Sequence, residues 1–181
     1  SPDSDDSTWR ILSLPHDWSI EGDFSLDNPS TPGGGALPGG IGWYRKTFTL
    51  PETDRDKVIY VDFDGVYRNS EVWINGHSLG FRPNGYVSFR YDLTPYLRYG
   101  SQPNVIAVKA DNSEQPNSRW YSGSGIYRNV WLVKVNPVHV DNWGTFVHDM
   151  KISSEEATFA LEVRIRNSSE ADREAEVSTS I

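Results

Sequence analysis

The sequence predicts an all-β protein, with a β-sandwich of the jelly-roll type over residues 9–136 followed by the first strands of a second β domain. Short segments in which apolar and polar residues alternate recur along the chain, which is the pattern of half-buried strands. Turn-forming residues separate these segments, and the one helical candidate, residues 93–100, has room for one or two turns. Aromatic residues, which favour pleated surfaces, make up 13% of the chain.

The composition restricts the class of protein before any motif is considered. The chain has 181 residues, of which 36% are hydrophobic and 23% charged, a balance typical of a soluble globular protein. Its formal net charge of −8 argues against nucleic acid or an anionic membrane as a partner. No segment reaches the roughly 18 apolar residues that a membrane span needs. The absence of cysteine removes disulfides, thiolate nucleophiles and Cys-ligated metals.

The first 42 residues are predicted to be mostly irregular. Residues 1–8 are acidic and polar, so we expect a disordered lead, and they lack the basic and apolar regions of a signal peptide. Residues 15–42 carry four prolines and a glycine-rich run, which excludes a helix or a central strand. An ordered loop of this length inside a compact domain is usually functional.

The strands of the sandwich begin at residue 43. A hairpin is predicted over residues 72–79, because Asn75-Gly76 accepts the positive φ angles that a two-residue turn requires. The alternating pattern predicts the other strands at residues 43–50, 58–64, 87–91, 104–110 and 125–135.

Residues 137–181 are predicted to form only part of a second domain. Strands are expected at residues 138–152, 158–167 and 175–181. Three strands have no second sheet to pack on, so the sequence indicates a fragment of a longer protein.

The familiar catalytic and cofactor motifs are missing from the sequence. The segments Gly33-Gly34-Gly35 and Gly123-Ser124-Gly125 do not fit phosphate-binding loops, and Ser124 does not fit the nucleophile elbow, so the glycines are interpreted as turn residues. None of the four histidines has metal-ligand spacing, and no pair of carboxylates is marked for glycoside hydrolysis. We therefore expect no catalytic residue, metal site or cofactor in this chain.

One polar loop carries chemistry that could recognise a ligand. Residues 110–125 join two predicted strands and contain Asp111, Asn112 and Trp120 among amides, an arginine and a second aromatic residue. Amides and carboxylates bond hydroxyl pairs, and an aromatic ring packs on the C–H face of a sugar. Equally, Asp111 and Asn112 could cap a turn while the aromatic rings close the end of the sandwich. Composition leaves both interpretations open.

An ordered set of motifs resembles the N-terminal region of glycoside hydrolase family 2, which includes β-galactosidases, β-glucuronidases and β-mannosidases. The bacterial β-galactosidase branch is the most similar. The motifs are residues 14–18 (LPHDW), 42–48 (GWYRKTF), 63–67 (FDGVY), 72–77 (VWINGH), 117–121 (NSRWY) and 125–132 (GIYRNVWL).

The resemblance implies a domain order and an activity for the parent protein. A galactose-binding-like jelly roll would cover residues 9–136, and residues 137–181 would open an immunoglobulin-like domain. A catalytic TIM barrel with two glutamates would follow in the same polypeptide, which would be a retaining exo-β-glycosidase. The family's acid/base glutamate follows an asparagine, and this chain has no Asn-Glu dipeptide. Metal use by the parent is left open.

The resemblance also implies sugar-contacting positions. In several members a loop acid before the Gly-Ile-aromatic-Arg segment touches the sugar, and Ser118 and Arg119 stand at the matching positions here. Arg119, or Asp111 upstream, is therefore the candidate for that role. An asparagine of the early loop contacts sugar in some members, and Asn28 is its loose match. The candidate substrate-binding residues are Asp111, Asn112, Ser118, Arg119, Trp120 and Asn28.

Arg128 is expected to be structural rather than sugar-binding. It follows the Gly-Ile-Tyr segment, and an ion pair with an acid such as Asp17 or Asp64 would brace the sandwich.

Two other classes of function fit the same sequence. The chain could be an independent carbohydrate-binding or adhesion module, or a scaffold that contributes an interface without sugar contact. The expected partners are a β-linked glycoside, bound through the parent enzyme, and the catalytic barrel, with a homo-oligomer as a further possibility. A bacterial origin and a periplasmic or secreted location are favoured.

Overall fold

The computed structural model describes residues 4–180, apart from the side chain of Asp149. Within these residues the regular structure is nine β-strands and four three-residue 3-10 helices, so the predicted all-β class is confirmed. The strands are β1 Gly40–Phe48, β2 Val58–Phe63, β3 Ser70–Ile74, β4 His77–Arg82, β5 Phe89–Asp92, β6 Asn104–Asn112, β7 Val130–Val135, β8 Val138–Ile152 and β9 Ala157–Asn167. The 3-10 helices are Ser19–Glu21, Pro32–Gly34, Glu52–Asp54 and Thr94–Tyr96. No helix in the described part of the chain is long and apolar enough to cross a membrane.

The chain divides into two compact units. The first contains residues up to 55 together with 59–133, and the second contains residues 56–58 and those from 134 onward. The short segment 56–58 is tied to the second unit by a hydrogen bond of 2.5 Å from Lys57 Nζ to Asn136 Oδ1.

The first unit is a sandwich of two sheets. One sheet has the strand order β1-β6-β3-β4 and the other the order β5-β2-β7. Along each strand alternate side chains point inward, so Val61 and Phe63 of β2 meet Val72 and Ile74 of β3 in a single buried cluster. Because both sheets contribute to one core, they pack face to face, as the sequence predicts.

The hairpin at Asn75-Gly76 is confirmed, and a buried amide stabilises its turn. Asn75 and Gly76 have φ angles of 49° and 85°, which suit a turn that needs two positive φ values. Asn75 Nδ2 donates to Oδ1 of the fully buried Asn104 over 2.8 Å. The Asn104 amide also bonds the backbone N–H and carbonyl of Arg98, both over 2.8 Å. One buried amide therefore fixes the hairpin and the start of β6 together.

Two predicted elements are shorter than expected. The helix over residues 93–100 is only the 3-10 turn Thr94–Tyr96. The strand over residues 125–135 begins at Val130, and Gly125 forms an isolated bridge with Tyr67 instead. Gly125 has a φ of 118°, outside the range of strand backbone, so the loop before β7 is longer than the alternation suggests.

The second unit contains one long antiparallel hairpin. Strands β8 and β9 pair with irregular register between Val140 and Thr145, where Arg166 binds the Asp141 carboxylate through two hydrogen bonds of 2.8 and 2.9 Å. This pairing lowers the pKa of Asp141 to about 2. The strand predicted over residues 175–181 is wrong for residues 175–180, which have no regular structure and no neighbouring strand to bond. Assignment of residues 137–181 to an immunoglobulin-like domain stays a prediction.

The described part of the predicted disordered lead touches β1. Arg45 Nη1 lies 2.8 Å from Asp6 Oδ2 and donates to the carbonyl of Ser4 over 2.5 Å. Disorder over residues 1–8 stays a prediction.

Replacement of a core residue should cost far more stability than the same change on the sheet's outer face. Ile74→Ala removes a side chain with 0% exposure and should lower the free energy of unfolding by about 2–5 kcal/mol. Ile41→Ala, at 53% exposure, should lower it by less than about 1 kcal/mol. Urea unfolding of the two variants measures both values, and equal losses would contradict the sandwich core described here.

Candidate functional site

The carboxylate of Asp17 joins the early loop to the loop between β6 and β7. Its Oδ1 accepts hydrogen bonds from the backbone N–H of Ser19 over 2.9 Å and of Ser124 over 2.8 Å. Its Oδ2 accepts a hydrogen bond from the hydroxyl of Tyr121. Burial and the neighbouring carboxylate raise the pKa of Tyr121, so this hydroxyl stays a donor at neutral pH. A single charged group therefore fixes two segments that are more than 100 residues apart in sequence.

The buried side chain of Asn112 also holds the β6–β7 loop in place through hydrogen bonds. This residue ends β6, is 2% exposed, and donates from Nδ2 to the Gly123 carbonyl over 2.9 Å and to Ser124 Oγ over 2.8 Å. Its Oδ1 accepts from Asn117 Nδ2 over 2.5 Å, and the Ser19 hydroxyl lies 2.7 Å from Ser124 Oγ. A buried polar network whose members are all bonded rigidifies the segments that it joins.

A second chain of polar contacts supports the early loop on β1. The hydroxyl of Tyr44 lies 2.8 Å from His16 Nδ1 and accepts from the backbone N–H of Ile126 over 3.3 Å. His16 Nε2 lies 3.2 Å from Glu21 Oε1, and Arg10 donates to the same carboxylate over 2.5 Å. Burial raises the pKa of Tyr44 to about 12. His16 therefore links Tyr44 to Glu21.

The fixed loop presents aromatic rings to solvent. Trp120 is 61% exposed, and its Nε1 donates to the hydroxyl of Tyr86 over 3.2 Å. The Tyr86 ring packs edge-on against Tyr67 at a centroid distance of 5.4 Å, and the Tyr67 hydroxyl donates to Asn117 Oδ1 over 3.2 Å. We call Tyr67, Tyr86, Asn117 and Trp120 the loop aromatic cluster. It combines flat apolar faces with polar edges, which suits the C–H face and hydroxyl groups of a sugar.

The structure separates two candidates that are adjacent in sequence. Asn112 faces inward from β6 and holds the loop, whereas Asp111 faces the outer side of the sheet. There its carboxylate lies 3.4 Å from Lys109 Nζ and accepts a hydrogen bond from the Ser113 hydroxyl over 2.5 Å. Asp111 is therefore not a member of the loop aromatic cluster.

Of the remaining candidates, Ser118 and Asn28 make hydrogen bonds within their own loops, and Arg119 is exposed to solvent. The Ser118 hydroxyl donates to the backbone carbonyl of Trp120 over 2.5 Å, and the Arg119 side chain is exposed between them. Asn28 uses both hydrogens of its amide within the early loop, bonding the carbonyls of Asp23 over 2.9 Å and Ala36 over 2.8 Å. Sugar contact by any of these residues stays a prediction.

The early loop containing Asn28 lies close to Tyr121. Gly35 has a φ of 98°, and a Cβ at this position would come within 3.3 Å of the Tyr121 ring. Glycine is therefore required here both for the backbone angle and for the close approach of the two loops.

The ion pair expected for Arg128 is replaced by another contact. Arg128 Nη1 donates to the backbone carbonyl of Asp64 over 3.2 Å, and the Asp64 carboxylate instead accepts from Trp131 Nε1 over 3.2 Å. The Asp17 carboxylate is already bonded to Ser19, Ser124 and Tyr121. Bracing across the loops therefore comes from Asp17 itself.

Sequence reasoning missed Tyr86, Tyr67 and Asn117 as members of the site. A local signal was present at Tyr86, which follows Asn84-Gly85 in a turn where Asn84 Oδ1 accepts from the Tyr86 N–H over 2.8 Å. An aromatic residue directly after an Asn-Gly turn is placed at a loop tip, where it is open to a ligand. Among the described side chains of residues 4–180, which do not include that of Asp149, no group of three or more His, Asp or Glu is arranged to hold a metal ion.

A β-sandwich with exposed aromatic rings on a fixed polar loop has the chemistry to recognise a carbohydrate. The sequence profile described as "Glycosyl hydrolases family 2, sugar binding domain" matches residues 23–136. The chain therefore belongs to glycoside hydrolase family 2, of which it contains the sugar-binding domain. This confirms the resemblance seen in the sequence motifs.

Relatives and solved structures agree with this membership. The chain is 58% identical to "Beta-galactosidase BoGH2A" of Bacteroides ovatus over 97% of its own length and 21% of that protein. It is 47% identical to a "Putative beta-glucuronidase" of Formosa agariphila, over 90% of this chain and 16% of that protein. A β-glycosidase structure from Bacteroides vulgatus matches 93% of this chain and 22% of its own, with a TM-score of 0.87 and 50% identity. The chain thus spans about a fifth of the length of these relatives.

Asp17→Asn should loosen the β6–β7 loop. The amide oxygen can still accept from the two backbone N–H groups, but it carries no charge, and the NH₂ group can only donate to Tyr121. We therefore expect a loss of about 1–3 kcal/mol in the free energy of unfolding. Asp64→Asn is the matched control, because that carboxylate accepts from Trp131 at the protein surface, and it should cost less. Urea unfolding compares the variants, and equal losses would argue against the bracing role of Asp17.

Tyr44→Phe should change how stability depends on alkaline pH. A tyrosine whose pKa is raised in the folded state stabilises the fold below its unfolded pKa of about 10, and this contribution is lost as the pH rises toward 12. The variant should lose about 1 kcal/mol at pH 7 with the hydrogen bonds of the hydroxyl, yet show a shallower decline above pH 10. Urea midpoints between pH 7 and 12 test both parts, and a decline as steep as in the wild type would contradict the prediction.

Proposed function

We propose that this chain is the N-terminal, non-catalytic part of a retaining exo-β-glycosidase and that it helps to form the sugar pocket of a catalytic barrel in the same polypeptide. The observation that carries the proposal is the exposed Trp120–Tyr86 pair, presented on a loop that Asp17 and Asn112 hold in place. The parent would act through two glutamates of the barrel, one as nucleophile and the other as acid and then base.

The carboxylates beside the loop are suited to bracing rather than to catalysis. A retaining glycosidase needs one carboxyl group with a raised pKa to act as an acid. The Arg10 side chain instead lowers the pKa of Glu21, and both oxygens of Asp17 are occupied by hydrogen-bond donors. These acids therefore support the assignment of a non-catalytic role to this unit.

A β-galactoside is the substrate class that we favour. Its support is the 58% identity to a protein named β-galactosidase, over almost the whole of this chain. A β-glucuronide is the second candidate, because Arg119 precedes Trp120 in the sequence and is exposed, so that a sugar carboxylate could pair with its guanidinium. Relatives at 47% and 34% identity carry the name β-glucuronidase. The independent-module hypothesis has less support, since the matched relatives are about five times longer than this chain.

Trp120→Ala in the full-length parent should reduce kcat/KM on its aryl glycoside by about 3- to 10-fold, because one stacking surface is lost. Trp131→Ala is the matched control: it removes an indole of similar exposure on β7, outside the loop, and should leave kcat/KM near the wild-type value. The assay uses nitrophenyl β-galactoside, β-glucuronide and β-mannoside. The glycoside that the wild type hydrolyses identifies the sugar.

Arg119→Ala separates the two substrate candidates. It should lower kcat/KM selectively for the glucuronide if the guanidinium pairs with a sugar carboxylate, and should change the galactoside rate little. Wild-type kinetics in both the Trp120 and Arg119 variants would favour a pure scaffold role and overturn the proposed contact.

A further inference from the structure

The outer face of the four-stranded sheet carries a second set of aromatic and polar side chains. Register pairs Trp43 of β1 with Lys109 of β6, Lys109 with Glu71 of β3, and Glu71 with Phe81 of β4. These four residues, which we call the outer-face row, cross all four strands. With neighbouring strands about 4.8 Å apart, the row extends over roughly 14 Å.

The two ends of the row are apolar and open to solvent. Trp43 is 48% exposed and Phe81 is 53% exposed. Trp43 is held in place by stacking on Trp73 of β3, with ring centroids 5.4 Å apart and an angle of 26° between the ring planes. A ring that is already held by a neighbour loses little freedom when a ligand packs on its other face.

The centre of the row is charged and hydrogen-bonding. Lys109 Nζ lies 3.2 Å from Glu71 Oε1 and 3.4 Å from Asp111 Oδ2. These groups, with Asn69, Ser113 and Phe81, line a cleft of about 270 Å³. Carboxylates accept hydrogen bonds from sugar hydroxyl groups, and the Lys109 ammonium group donates hydrogen bonds to hydroxyl oxygens. The cleft can therefore serve paired hydroxyls both as donors and as acceptors.

This arrangement favours a saccharide over a protein surface. The core of a protein interface is depleted of charged residues. An apolar partner that covered Lys109 and its acidic neighbours would displace the water bound to these charged groups and would offer no hydrogen bonds in its place. Sugar hydroxyls replace those hydrogen bonds, while C–H faces pack on the Trp43 and Phe81 rings. Acids also outnumber basic groups around the cleft, since Glu71, Asp111 and Glu114 face Lys109 and Arg68. The excess of acids disfavours an anionic sugar.

We propose that the outer-face row and its cleft bind a neutral oligosaccharide chain that lies across the sheet. The length of the row exceeds one sugar ring, so the ligand is an oligomer or polymer rather than a monosaccharide. The proposal concerns binding, without a chemical step, and does not rest on the function proposed for the loop aromatic cluster.

Affinity electrophoresis of the full-length parent tests this proposal, with soluble β-1,4-galactan and hydroxyethyl cellulose as probes in native gels. We expect the wild type to be retarded by one of these neutral polysaccharides. Trp43→Ala and Phe81→Ala should each weaken binding by about fivefold, as expected for the loss of one stacking surface. Trp131→Ala, which removes an exposed indole from the other sheet, is the control and should migrate like the wild type.

Three results would overturn the proposal. The first is a wild type that neither polysaccharide retards. The second is retardation that is unchanged in both row variants, which would place polysaccharide binding elsewhere in the parent. The third is an oligomer of the parent that dissociates in Trp43→Ala, measured by light scattering, which would assign the face to a protein interface. Circular dichroism of each variant confirms that it is folded before its migration is compared.

Discussion

The hydrogen bonds of the Asp17 carboxylate are the constraint on which the loops at one end of the sandwich depend. The core and the inter-strand hydrogen bonds fix the strands of a sandwich, but the loops at its ends have no such hydrogen bonds to order them. Here one carboxylate binds the backbone of Ser19 and Ser124 and the hydroxyl of Tyr121. Charged acceptors form stronger hydrogen bonds than neutral ones, so a few contacts suffice to order a long irregular segment.

Strand β6 carries two different chemistries because its side chains alternate. Asn104 and Asn112 point inward and serve as buried amide anchors, one for the hairpin turn and one for the β6–β7 loop. Lys109 and Asp111 point outward and bring charge to the open face of the sheet. A shift of one residue in the register would exchange these faces, burying the charges and exposing the anchors. The identity of each position on β6 is therefore set by the sheet before any ligand is considered.

The sequence predicted what is local and missed what the fold brings together. Alternation located most strands, and Asn75-Gly76 located the hairpin, because both signals lie within a few residues. Trp120 could be placed on the loop that follows Asn112 for the same reason. Tyr86 reaches Trp120 only because the β4–β5 connection folds against the β6–β7 loop, and no pattern in the chain encodes that approach. The acid partner predicted for Arg128 was wrong for the same reason. Asp17 accepts hydrogen bonds from the β6–β7 loop, which is distant in sequence.

The assignment of residues 56–58 to the second unit has a consequence for the design of chimaeras between members of this family. A crossover at the end of β7, after Val135, keeps the strands intact, yet it would separate Asn136 from Lys57, which belongs to the same compact unit. A hybrid that exchanges the β8–β9 hairpin alone would inherit a mismatched partner at that position. Segment 56–58 and the hairpin should therefore be transplanted together, as one discontinuous module.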